Sequence, residues 1–141
     1  GLLREYTRVT RPGGWIELFE GGTTFFNSGP LTQQYLAWWE QLEKLKGINA
    51  SRMEQLPHLM QKLGMQNVQA QRLHIPVGKW GGRAGTMLLA NLVSGWGSLK
   101  NIFVSQVGVD PIFFDNTFQA LPQEWEERHT MYEYVIAVCQ I

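Results

Sequence analysis

Cysteine is almost missing from this chain. Cys139 is the single thiol in 141 residues, which excludes an intramolecular disulfide and a zinc site built from several cysteines. Its neighbours Val135, Ile136, Ala137, Val138 and Ile141 mark it as a buried structural thiol. Histidine is scarce too, and His58, His74 and His129 are too scattered for a metal motif. There is no excess of either charge. Twelve basic residues balance twelve acidic ones and no basic block stands out, which argues against nucleic acid as a partner. No apolar run reaches membrane-spanning length and no signal peptide is visible, so the expected setting is cytoplasmic, with no membrane partner. Without a secretion signal, the Asn49-Ala50-Ser51 sequon is discounted. Internal repeats and low-complexity segments are also lacking.

What is present suits one globular domain. Hydrophobic residues make up 44% and charged residues 17%, in a chain long enough to bury a core. Six tryptophans is a high count, and core packing is the commoner use of such rings, ahead of a pocket or an interface.

Periodicity divides the chain into elements. Leu2, Leu3, Tyr6 and Val9 predict a helix over 2–10, which Pro12, Gly13 and Gly14 stop. Trp15 to Glu20 follows as a strand, ended by Gly21, Gly22 and Thr23. Leu31, Tyr35, Trp38, Trp39, Leu42 and Leu45 predict a helix over 31–46, with Gly47 as its stop. Ser51 and Glu54 have the spacing of a capping box, and Pro57 starts a new helix that runs to Gly64. Val68 to Val77 reads as a strand with Val68, Ala70, Leu73 and Ile75 inward. After a glycine-rich stretch, Gly78 to Gly85, the stripe Leu88, Leu92, Trp96, Leu99, Phe103 and Val107 is helical, with a break near Gly95 and Gly97. Asp110-Pro111 begins another helix, Leu121 to Arg128 adds a turn or two, and Tyr134 to Ile141 is a closing strand. Helices between strands predict an α/β fold.

Three segments carry a family resemblance. Arg8-Val9-Thr10-Arg11-Pro12-Gly13-Gly14-Trp15-Ile16-Glu17 resembles the helix, R-V-L-K-P-G-G-like turn and fifth strand of class I S-adenosylmethionine-dependent methyltransferases, with Thr10 and Arg11 where Leu and Lys are commoner. Leu59-x-x-x-Leu63-Gly64-Met65-x-x-Val68 resembles the family's approach to its sixth strand, with Met65 in place of the usual aromatic. Tyr134 to Cys139 resembles the last strand. The resemblance implies the C-terminal half of a Rossmann-like sheet: three strands, with the last antiparallel between the other two. It implies a methyltransferase core over 1–77, a helical lid or substrate insertion over 78–130, and a final strand over 131–141. It also places the family's S-adenosylmethionine-binding motifs upstream of Gly1, so this chain would supply the substrate side for a small or medium-sized acceptor and be inactive alone.

On that reading, ligands gather beyond the carboxyl ends of the parallel strands. Glu20 and His74 are the candidate bases, set against the commoner roles of a strand-end carboxylate and a structural histidine. Phe25, Phe26, Asn27, Trp80, Arg83, Asn91 and Trp96 are candidate substrate-binding residues, with loop packing as the alternative for the first three. Gly78 to Gly85, with Lys79 and Arg83, superficially suits phosphate, but its spacing fits neither the dinucleotide nor the Walker pattern. A hinge is the other reading of that stretch. Strand 15–20 would lose its neighbour in such a half-sheet, leaving an apolar edge through which the chain pairs with a second copy. The competing function is a non-catalytic interaction or small-ligand-binding module derived from a methyltransferase half.

Overall fold

The computed structural model describes residues 1–141 except for the Ser51 side chain, so the proposed Ser51–Glu54 capping box lies outside what is described. The chain is α/β. Its elements are α1 (Leu2–Val9), β1 (Trp15–Phe26), α2 (Pro30–Lys46), a 3-10 segment (Ala50–Gln55), α3 (Leu56–Lys62), β2 (Gln66–Pro76), a 3-10 turn (Lys79–Gly81), α4 (Gly82–Gly97), α5 (Lys100–Ile102), a π turn (Phe103–Val107), α6 (Pro111–Arg128) and β3 (Met131–Gln140).

The three strands form one sheet in the order β1-β3-β2. Its direction can be read from cross-strand partners. Ile141 bonds with Gly13 and Gly14, while Tyr134 stacks on Phe19. On the other side, Gln140 meets Asn67 and Glu133 meets Arg72. Numbers rise in β1 and β2 as they fall in β3, so β3 is antiparallel to both neighbours.

The residues fall into two compact units. The first holds 1–22, 50–73 and 133–141, and the second holds 23–49 and 74–132. In the first, Ile16, Leu56, Met60, Met65, Ala137 and Cys139 form the core, with Leu3, Tyr6, Leu18, Val68 and Ile141 packed against it. Local chemistry sets its turns. Gly13 adopts φ +76°, and a Cβ on Gly14 would come 2.8 Å from the Arg11 carbonyl oxygen. The two glycines of the turn are therefore needed for different reasons. At the end of α3, the Gly64 amide donates to Gln61 and the Met65 amide to Met60, a Schellman closure with Gly64 at φ +77°. Met65 then joins Met60 in the core, the hydrophobic contact that commonly accompanies this motif.

The second unit has an aromatic core. Tyr35 stacks on Trp96 with ring centroids 4.0 Å apart, and its hydroxyl donates to the Trp96 carbonyl. Phe103 and Phe114 are buried beside Tyr35, and Trp125 meets Trp96 edge-on. Asp110 caps α6 by accepting from the Phe113 amide at 2.9 Å, ahead of Pro111.

Several expectations need correction. β1 does not end at Gly21 but continues to Phe26. Thr23, Thr24, Phe25 and Phe26 favour extended backbone, and Phe25 packs on Tyr132 of β3, which outweighs the two glycines. Ala70 is exposed rather than inward, because no apolar element of its unit covers it. Leu45 is exposed at the last turn of α2, and the buried stripe instead includes Thr32. Leu121 to Arg128 is no separate turn, since α6 runs unbroken through Pro122. The buried face of Phe114, Thr117, Leu121 and Trp125 holds that helix together against a proline cost of about 3 kcal/mol. Among the described residues no helix is long and apolar enough to cross a membrane.

Candidate functional site

The expected site residues divide between the units: Glu20 lies in the first, and His74, Phe25, Phe26, Asn27, Trp80, Arg83, Asn91 and Trp96 lie in the second. Because β1 runs on to Phe26, Glu20 sits within the strand and not at its carboxyl end. It is half-buried in the wall of an apolar cleft of about 440 Å³. That cleft lies in the first unit, where α1, β1, the 3-10 segment and α3 meet. Leu3, Leu18, Met53, Leu56 and Leu59 supply much of its apolar wall. Arg4, Arg52 and Lys62 also line it and are exposed.

In the second unit, the structure brings some candidates together. Phe25 lies 5.4 Å from Trp96 and 4.6 Å from Tyr132, and it stacks parallel to Trp125. Phe26 packs on the His74 ring at 4.3 Å. Trp80 stacks on His129 at 4.5 Å, and its indole donates to the Val77 carbonyl. Asn27 adopts φ +56°, and its carbonyl accepts from the Thr130 hydroxyl. Arg83 and Asn91 are exposed on α4, away from its buried Leu88 and Leu92. Asn91 is therefore a solvent-facing residue and not a polar member of the apolar stripe.

The segment 78–130 leaves and returns at one point, where the Val77 amide donates to the Thr130 carbonyl at 2.9 Å. Its glycine-rich start is a closed turn. The Gly78 amide donates to Gly85, the Gly81 amide to Gly78, and the Gly82 amide to Lys79. These three amides are engaged within the turn and are not open to a ligand.

Sequence reasoning missed Glu124. This carboxylate, on α6, accepts from the amides of Gly29, Leu31 and Thr32 at 3.1, 2.8 and 3.0 Å, and from the Thr32 hydroxyl at 2.6 Å. It caps α2, whose own N-cap, Gly29, has no side chain to do so. The only signal was an uncapped Gly29-Pro30 start, together with an acid amid Leu121, Pro122 and Trp125. A depression of about 300 Å³ lies beside Glu124. With four donors on its oxygens, however, the carboxylate acts as a structural acceptor.

Burial pushes the Tyr35 phenol well above its ordinary range, and it raises the Tyr134 phenol and the Cys139 thiol as well. These groups stay neutral at pH 7, and the thiol is a packing group rather than a nucleophile. Among the described residues no group of three or more His, Cys, Asp or Glu is placed to hold a metal ion. Compared with protein-family models and with curated proteins, the chain matches none.

Proposed function

We propose that this chain is the substrate-side part of a class I S-adenosylmethionine-dependent methyltransferase that acts on a small or medium-sized acceptor in the cytoplasm. The observation that carries the reading is the strand order β1-β3-β2 with β3 antiparallel to both neighbours. That is the arrangement the family resemblance predicts for its last three strands. The Pro12-Gly13-Gly14 turn, with both glycines used, supports it at the start of β1.

S-adenosylmethionine would supply the methyl group to the acceptor, and an acceptor hydroxyl would give its proton to a base on this chain. Orientation supplies most of the acceleration, with His74 as the candidate base in the second unit. Asn27, Arg83 and Asn91, exposed in the second unit, are the candidate polar contacts to the acceptor.

The test is calorimetry with S-adenosylmethionine on the full-length protein that carries this chain, beside the chain alone. Heat from the first and none from the second is expected. No heat from the full-length protein would sink the reading.

A non-catalytic binding module is the second reading. It is favoured by the ring contacts that engage Phe25, Phe26, Trp80 and Trp96 within their own unit. The full-length test separates the two.

The same proposal includes self-association through β1. This strand lies at the edge of the sheet, with Trp15 58% and Phe19 50% exposed. Light scattering should give a dimer that W15K/F19K converts to a monomer. A native monomer at high micromolar concentration would count against it.

A further inference from the structure

We propose that the cleft of the first unit binds a single-chain amphiphile with an anionic head, seating the alkyl chain against its apolar wall and the head beside Arg4, Arg52 and Lys62. The wall is made by Leu3, Leu18, Leu56 and Leu59. Of these, Leu56 is buried and the others are half-buried, so the wall deepens inward from the exposed cations. The volume of about 440 Å³ is near the lower end of small-ligand sites, which run from about 300 to 1,000 Å³. That leaves room for one chain.

Charge selects the head. Arg4, Arg52 and Lys62 form no side-chain hydrogen bond or ion pair among the described residues, whereas Arg8, Lys44, Arg72 and Lys100 are each paired with an acid. Glu20 is the one acid among the described lining residues. The side chains of the lining thus carry three positive charges against one negative. Arginine and lysine can lay their stems along an apolar wall while holding the charge at the water boundary, the arrangement an amphiphile needs. A cationic head would meet like charge, and a neutral one would leave the three cations unanswered. The inference rests on this cleft alone and is independent of methyl transfer.

Calorimetric titration of this 141-residue chain with laurate, dodecyl phosphate, dodecanol and dodecyltrimethylammonium, each below its aggregation limit, tests it. Saturable one-to-one binding of at least one anion, at least tenfold tighter than the alcohol and the cation, is expected. The two anions decide between a carboxylate and a phosphate head. R52E/K62E, both surface changes, should weaken the anion at least tenfold while leaving the circular dichroism spectrum unchanged, and E20Q should tighten it. Equal binding of all heads, multi-site uptake without saturation, or anion affinity unchanged in R52E/K62E would overturn the proposal.

Discussion

The Thr32 hydroxyl donates to the Glu124 carboxylate across 2.6 Å while accepting from the Trp125 indole at 2.8 Å. Residues 92 and 93 positions apart are thereby joined at a buried helix start. The same carboxylate takes three backbone amides at the start of α2, so the cap of one helix is supplied by the side chain of another.

Loss of that carboxylate should be costly, since it leaves buried N–H donors without acceptors. Glu124→Ala is expected to lower stability by about 3 kcal/mol or more, and Thr32→Val by about 1–2 kcal/mol. Urea unfolding measures both. A loss below about 1 kcal/mol for Glu124→Ala would show that water replaces the cap.

Two glycines of α4 should respond in opposite directions. A Cβ at Gly85 would overlap the Gly78 carbonyl oxygen, whereas one at Gly95 meets nothing within 4 Å. Gly85→Ala should therefore destabilise by about 1–3 kcal/mol through overpacking. Gly95→Ala should stabilise by about 0.5–1 kcal/mol, because it restricts the unfolded chain at an exposed helical position. Thermal melts of the two variants give the signs directly.

Alkali should unfold this chain ahead of any acid effect at the same three groups. Tyr35, Tyr134 and Cys139 have raised pKa values from burial, so the folded state holds them neutral after the unfolded chain has begun to ionise. Their contribution is complete below the unfolded thiol and phenol values of about 8.5 and 10. It is lost as pH climbs through the raised folded values. The urea midpoint should hold steady from pH 6 to about 8 and fall above about pH 9. Tyr35→Phe should flatten that fall, and a midpoint independent of pH up to about 11 would contradict the assignment.

The parts of the fold that were legible in the sequence are those decided within a few residues. The Pro12-Gly13-Gly14 turn could be read because positive φ and crowding against Arg11 are local facts. Gly47 and Gly64 could be read as helix stops for the same reason, both at positive φ. Pro57 in the first turn of α3 and Asp110-Pro111 at the start of α6 follow from the missing proline amide and from cap chemistry. The candidate site was less legible. Glu20 was read as a strand end because two glycines follow it, yet pairing with β3 carried the strand to Phe26. Phe25 and Trp96 were read as candidate substrate-binding residues, and the sequence did not show that their rings pack on other aromatic rings far apart in the chain.

By itself the sequence determined where α1, β1 and α6 begin, how the glycine turns close, and that the molecule is α/β. Each of these depends on backbone sterics, amide availability or periodicity over a few residues. Only the tertiary structure decided that Glu124 caps α2, that β1 runs on to Phe26, and that Glu20 and three cations share one apolar cleft. Those outcomes depend on which distant segments pack together, and many packings satisfy the same local pattern.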